Sequence, residues 1–237
     1  VARALRRMSE GELDRIRAAY GERDAAAETP YRWSNPGYVT YMQLLERALL
    51  RALDDAATPL AGARVLDVGC GSGYFLHRLS EYGAGECHGI DLLASRIEAA
   101  RERYPGQEWH VGSATELPFA EGSFDLVTQF TCLSSIVDDA TRAAAAREML
   151  RVAGRDGHVL SLDMRLGSRP GSAGTPTIGL EEDALRSLFG EPRLLRRVAL
   201  RFDLAQVAGR HALLAQALAL ARPFRSHVLG LWNGRAA

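Results

Sequence analysis

The chain of 237 residues contains no lysine: the whole Lys-plus-Arg count of 29 is arginine. This excludes Schiff-base chemistry and any phosphate-binding loop that depends on a lysine. Its simplest origin is codon bias in a GC-rich gene, in keeping with the abundant Ala, Arg and Gly. A charge excess is also lacking. Asp and Glu together also number 29, so the formal net charge is zero and the pI is about 7.2. Nucleic-acid and anionic-membrane partners usually leave a basic excess, so neither is expected, although local basic patches stay open. Cysteines number only three, Cys70, Cys87 and Cys132. Odd and scattered, they form no disulfide framework and no metal-type pair, which points to a reducing, cytoplasmic setting. No His/Asp/Glu group has metal-ligand spacing, and no metal is expected. The N-terminal "VARALRRMSEGELDRIR" lacks an initiator Met and the apolar core of a signal peptide, so it reads as a trimmed or processed chain without a leader. No long apolar run is present. The nearest, "LAQVAGRHALLAQALALA" (204–221), carries Arg210, His211 and two glutamines and reads as an amphipathic helix.

What is present is ordinary for a globular protein: 47% apolar and 24% charged residues. Helical character over 9–27, broken by Gly21, is followed by a loop "TPYRWSNPGY" (29–38) and a second helix over 39–57. From residue 64 strand and helix signals alternate. Strands are expected at 64–68, 86–91, 107–111, 124–130, 157–164, 193–202 and 225–232, and helices at 74–82, 93–103, 139–152 and 180–189. Between them "RLGSRPGSAGTPTIG" (165–179) is a long Gly/Ser/Pro/Thr loop of the kind that often serves as a lid. Such alternation implies a mostly parallel seven-stranded α/β sheet with helices on both faces. No linker divides the chain. Residues 1–60 are expected to form an N-terminal helical lid belonging to the same domain as the core at 61–237.

The densest signal is "VLDVGCGSG" (65–73), where an apolar strand runs into an acid and three alternating glycines. Ligands of open α/β sheets bind beyond the carboxyl ends of the strands. Glycines there permit a tight turn and close approach of a ligand to the backbone, and the next helix offers free N–H groups. A dinucleotide fingerprint G-x-G-x-x-G needs a third glycine where Tyr74 or Leu76 stands, and there is no G-K-[S/T]; the pattern that fits is D-x-G-x-G-x-G, from Asp67 through Gly69, Gly71 and Gly73. Asp91 closes the second strand, a position suited to accepting hydrogen bonds from ribose hydroxyls; its alternative role is the N-cap of the following helix.

With "GIDLLASRIEAAR" (89–101), "GSATELPFAEGSFDLV" (112–127) and "AREMLRVAGRDGHVLSLD" (146–163), these residues make the chain resemble the class I S-adenosylmethionine-dependent methyltransferases, in the branch of small enzymes similar to quinone-biosynthesis and natural-product methyltransferases. The resemblance covers roughly residues 60–165 and implies a Rossmann-like fold. It implies that Gly69, Cys70, Gly71 and Gly73 line the methionine portion of the cofactor, with Asp67 beneath them orienting the turn. It implies that Asp91 holds the ribose diol, that Leu92 packs on adenine, that Ser113, Ala114 and Thr115 meet the adenine edge, and that Gln129 and Phe130 face cofactor and acceptor. Two departures stand out. Ser113 replaces the acid the family usually carries, so a weaker bond or a compensating backbone contact is expected, and "GRDG" (154–157) stands for the usual Pro-Gly-Gly turn.

Methyl transfer from a sulfonium requires orientation and exclusion of water, with a general base where the acceptor must lose a proton. Candidates for that base are Asp163, near the carboxyl end of the fifth strand, and His227 on the seventh. His77, His88, His110 and His158 read as structural. Tyr31 and Arg32 are candidate cofactor contacts, through a π face against the sulfonium and a guanidinium against a carboxylate; Trp33 and Tyr38 either share that lid or pin the leading helices to the core. "TCLSSI" (131–136) is expected to border the acceptor pocket. The resemblance thus implies a methyltransferase, expected as a monomer or homodimer, acting on oxygen or nitrogen of a small molecule, a secondary metabolite of natural-product biosynthesis, with no nucleic acid and no membrane as partner. The alternatives are a catalytically silent, cofactor-binding scaffold or regulatory module, and a nicotinamide oxidoreductase, which the missing third glycine disfavours.

Overall fold

The computed structural model describes residues 10–25, 33–167 and 177–234. Two leading helices, α1 (Glu10–Ala25) and α2 (Pro36–Asp55), precede an alternating series. The series runs β1 (Val65–Val68), α3 (Tyr74–Glu81), β2 (Cys87–Asp91), α4 (Ala94–Arg103), β3 (Glu108–Val111), β4 (Leu126–Phe130), α5 (Asp139–Ala153) and β5 (His158–Met164). It ends with α6 (Glu182–Phe189), β6 (Leu194–Leu200), α7 (Phe202–Ala208), α8 (Ala212–Leu220) and β7 (Arg225–Asn233).

All seven strands form one sheet in the order β3-β2-β1-β4-β5-β7-β6. Strands β1 to β5 pair in parallel, and β7 runs antiparallel between β5 and β6. The parallel strands β1 and β4 are buried at every position, as strands covered on both faces must be. One face packs α2, α3 and α4 through Leu45, Leu49, Leu76, Leu79 and Ile97; the other packs α5 and α6 through Ala146, Met149, Leu185 and Phe189. Fully buried Trp232 of β7 packs at a tilt against Phe189 and donates from Nε1 to Gly190 O at 2.9 Å. Among the described residues no helix is long and apolar enough to cross a membrane.

Three boundaries differ from the sequence expectation. Helix α1 passes through Gly21 without a break. Helix α2 begins at Pro36, earlier than expected, because the Asn35 side chain accepts from Gly37 N at 2.9 Å and proline suits the first helical position. The apolar stretch 204–221 is two helices, not one. Gly209 ends α7 where the chain crosses the start of α2: a Cβ on Gly209 would lie 2.5 Å from Gly37 Cα, and Thr40 Oγ1 donates to Gly209 O at 3.1 Å. The acids and glycines of the 65–73 turn stand at the carboxyl ends of β1 and β2, as the topology requires.

Helix α2 lies outside the alternating series, yet its Leu49 is fully buried against the sheet. Leu49→Ala is expected to lower the unfolding free energy by about 2–5 kcal/mol in a single cooperative transition, measured by urea denaturation. A separate early transition would show that α2 is not integral to the domain.

Candidate functional site

The turn after β1 is tied to the end of β2 by main chain and by one carboxylate. Gly69 N and Cys70 N both donate to Ile90 O, at 2.8 and 3.1 Å. Asp91 Oδ2 accepts from Gly71 N and Asp91 Oδ1 from Leu93 N, each at 2.9 Å. Asp91 therefore closes a turn ahead of α4, although Leu93, not Asp91, holds the N-cap position.

All three glycines adopt positive φ, at +70°, +55° and +83° for Gly69, Gly71 and Gly73. A Cβ at Gly69 would stand 2.5 Å from Cys132 Sγ, and one at Gly73 would collide with the Trp109 ring. At Gly71 a Cβ would meet nothing nearer than Arg96 Nη1, 3.7 Å away. Two of the glycines thus answer to packing within the chain, and Gly71 to its backbone conformation. Burial pushes the Cys70 thiol far above its ordinary value, so it sits under the turn as a neutral, apolar group.

Beside this turn lies a cleft of about 210 Å³. Its floor is Gly69, Ile90 and Asp91; Leu92, Leu93, Arg96, Gly112, Ser113 and Ala114 form one wall, and Thr131, Cys132, Ser135 and Ile136 the other. Thr131 holds φ +58°, an uncommon conformation for a β-branched residue. The roof is α1, through Ile16 and Tyr20, one turn apart on the same helical face. Helix α1 is fastened to the 135–137 segment. Glu12 Oε1 accepts from Val137 N at 2.8 Å, Arg15 Nη2 donates to Ser135 O at 2.6 Å, and Tyr20 Oη lies 2.5 Å from Ser135 Oγ. The Arg96 guanidinium sits 4.4 Å from the Tyr20 ring centroid. The Arg15 bond holds the Glu12 carboxyl below its ordinary range despite burial.

Of the residues expected at the site, Gly69, Asp91, Leu92, Ser113 and Ala114 line this cleft. Ser113 Oγ is engaged in its own turn, 2.9 Å from Thr115 Oγ1 and accepting from Thr115 N at 3.2 Å, while Thr115 itself is buried. Tyr31 and Arg32, and residues 168–176 of the expected substrate loop, fall outside the described residues. Trp33 packs on Tyr38 and on Tyr74 of α3. Phe130 stacks on Phe75 with ring centroids 4.1 Å apart.

Three expectations are corrected. Gln129 does not face the cleft. Fully buried, it accepts from Cys132 N and Leu133 N and donates to Ser161 Oγ and Asp163 Oδ2, which fixes the 131–135 wall from behind. Asp163 is equally buried and accepts from Ser134 N and Met164 N as well. His227 lies under α2, its Nε2 3.0 Å from Tyr41 Oη and its Nδ1 2.9 Å from Ser226 Oγ. Neither base candidate lines the cleft, because the edge positions of β5 and β7 are roofed by α2 and by the wall segment. What sequence reasoning missed is Ile16, Tyr20 and Arg96. The i, i+4 spacing of Ile16 and Tyr20 was the available signal, but their target lies more than a hundred residues away in sequence.

Burial pushes the Asp67 carboxyl up to about 8, against the hydrogen bond from Thr128 Oγ1 and with help from neighbouring Asp91. Burial likewise pushes Asp163 up to about 6 and His227 down to about 4. An acid with a raised folded pKa makes the folded state bind more protons, so its contribution to stability is lost as pH rises. For Asp67 that window runs from its unperturbed 3.8 to about 8. Asp163 acts in the same sense up to about 6, and His227 opposes both between about 4 and 6.5. From pH 6.5 to 8 Asp67 stands alone. The unfolding free energy of the cofactor-free protein is expected to fall over this interval by up to about 1.4 kcal/mol per pH unit. Asp67→Asn, which keeps the Thr128 acceptor, should flatten the slope. Urea denaturation at several pH values checks this; an unchanged slope in the variant would refute it.

Residues 65–157 match the family model described as a methyltransferase domain. The chain is 28% identical over 129 residues to an O-methyltransferase of Penicillium expansum, covering 52% of this chain and 47% of that one. It is 37% identical over 113 residues to the ubiquinone/menaquinone biosynthesis C-methyltransferase of Desulfotalea psychrophila, covering 46% and 44%. The chain thus spans about half the length of these curated relatives. A solved structure of an S-adenosylmethionine-dependent methyltransferase from Methanosarcina mazei shares the fold, with a TM-score of 0.58 at 19% identity, covering 76% of this chain and 96% of that one. Residues 65–157 thus carry a methyltransferase domain, and the glycine turn, the acid closing β2 and the sheet order agree with the class I S-adenosylmethionine-dependent methyltransferases.

Proposed function

We propose that the protein transfers the methyl group of S-adenosylmethionine to an oxygen or nitrogen of a small molecule, a secondary metabolite. The observation that carries this reading is Asp91. A carboxylate has about four acceptor positions, and the backbone of Gly71 and Leu93 takes one on each oxygen. One position per oxygen remains at the floor of the cleft, the complement of a vicinal diol. The cofactor's nucleoside fits the remaining residues. Leu92 offers an apolar surface for the base, and with the Ser113 hydroxyl engaged, the 113–114 main chain is left to meet the base edge. The name of the Penicillium relative supports an oxygen acceptor; carbon, from the name of the Desulfotalea relative, is the competing outcome.

Bound S-adenosylmethionine supplies a methyl group already activated on a sulfonium. The chain's part is orientation and dryness. Among the described residues lining the cleft, Asp91 is the sole acid and histidine is absent. Rate enhancement then rests on alignment of the two reactants, which supplies up to about 7–11 kcal/mol, and on Ile16 and Tyr20 roofing the cleft against water. A metal is not required by this chemistry, and the described residues contain no cluster able to hold one. Tyr31 against the sulfonium and Arg32 against the carboxylate complete the proposed contacts, with Gly69, Cys70, Gly71 and Gly73 forming the turn and Asp67 beneath it.

Asp91→Ala is expected to weaken S-adenosylmethionine binding about 10–100-fold, from the loss of one to two charge-assisted hydrogen bonds, read by titration calorimetry. A mass screen over phenols, hydroxylated polyketides and amines should show a product carrying one added methyl group, whose position NMR then assigns. Cofactor binding without any methylated product across the panel would favour the silent scaffold. A methylated carbon would overturn the acceptor assignment alone.

A further inference from the structure

Zero net charge conceals a one-signed groove remote from the cleft. Between α2, β6 and α8 lies a depression of about 510 Å³ lined by Arg47, Arg51, Arg196, Arg197 and Arg225, with Gln216 and aliphatic side chains making up the rest; it contains no acid. Arg196 pairs with Asp55, and Arg197 with Glu181 and Glu182. Arg225 donates to the carbonyls of Arg197, Ala219 and Leu220 and pairs with no acid among the described residues. Arg47 and Arg51, four residues apart on the exposed face of α2, form no ion pair among the described residues.

The helix across the groove is as unusual. α8, "ALLAQALAL", has no charged residue, yet Leu213 is 83% and Leu220 73% exposed, seven residues apart on one face. Of the eight large apolar side chains exposed among the described residues, five lie between 207 and 224. A helix apolar on every side belongs either in a core or at an apolar boundary. In α8, whose one polar residue is Gln216, Ala215 alone is fully buried among the described side chains.

We propose that this face docks on an anionic phospholipid surface. The phosphates would be held by Arg47 and Arg51, and Leu213, Leu214 and Leu220 would enter the headgroup–acyl boundary. A guanidinium presents a planar fork to phosphate, and protruding leucines beside a cationic rim form the pattern of interfacial helices. A second copy of the chain is the poorer occupant, because a two-fold interface centred here would bring like-charged arginines together. An acidic protein would neutralise the arginines but leave the protruding leucines without an apolar phase. Arg222 is not part of the surface; it borders a neighbouring depression of mixed charge, in which Glu181, Glu182 and Asp183 face Arg186 and Arg197.

The test is cosedimentation of the whole chain with vesicles of phosphatidylglycerol and phosphatidylcholine, against vesicles of phosphatidylcholine alone. Binding to the anionic vesicles is expected, weakened by salt and not displaced by inorganic phosphate. Arg47→Gln and Arg51→Gln should each lower partitioning about fivefold, and Leu213→Glu with Leu220→Glu should abolish it. All these variants should retain S-adenosylmethionine binding, which reports an intact fold. Equal binding to neutral vesicles, no binding to either, indifference to the four substitutions, or displacement by phosphate would each overturn the proposal. So would a dimer in sedimentation equilibrium that Leu213→Glu dissociates.

Discussion

One carboxylate holds the site together. Asp91 stands at the last position of β2, and its two oxygens accept from the backbone of the turn after β1 and of the turn before α4. Without those bonds the Gly71 N–H, at the sharpest part of the glycine turn, would lose its acceptor. The choice posed by the sequence, ribose acceptor or helix-start residue, is not a choice in the folded chain. Because the backbone claims one position per oxygen, the other pair is fixed in direction, and a diol meets acceptors that need no reorganisation. Preorganisation by the main chain also explains why a buried acid is tolerated here, since its hydrogen bonds offset part of the desolvation cost.

The glycines show how sequence and structure divide the explanation. Their spacing was legible, and so were the acid before them and the strand leading in, because an apolar run ending in Asp-x-Gly-x-Gly-x-Gly has few local solutions. Their individual reasons were not. Gly69 is glycine because Cys132 packs onto it, and Gly73 because Trp109 does; one partner arrives from the segment after β4, the other from β3. Only Gly71 fits the open-approach reading. The parallel core was legible from short apolar strands alternating with helices. The reversal of β7 was not, since nothing in "RSHVLGLWN" encodes its direction, only its burial. The division of 204–221 into two helices depends on Gly209 meeting Gly37, a contact between residues far apart in sequence.

The polar residues misread from sequence share one physical feature. Gln129, Asp163 and His227 lie at the carboxyl edge of the sheet, where topology directs attention, yet all three turn inward and are hydrogen-bonded to the chain. A strand end offers two faces, and sequence position does not say which is roofed. Here the 131–135 segment folds back over β4 and β5, and its backbone N–H groups need acceptors away from water; Gln129 and Asp163 supply them. The wall of the cleft is therefore built on a buried polar network, and the residues touching that space are the small ones the network positions, Thr131, Cys132 and Ser135.

Global neutrality likewise says little about any one face. The acids are concentrated where the fold uses them: Asp67 and Asp91 under the turn, Glu12 in the clamp of α1, Glu46 accepting from Tyr74 and Arg78 between α2 and α3, and Glu181 and Glu182 against Arg197. An acid paired with an arginine, as Glu12, Glu46, Glu181 and Glu182 are, is electrostatically local, since its field is largely cancelled by its partner within a Debye length. Arginines without such partners keep their field, so a balanced total is compatible with a face of one sign. On this chain that face coincides with the helix whose leucines the core leaves uncovered, and charge and hydropathy there must be read together, position by position, to say what the surface can meet.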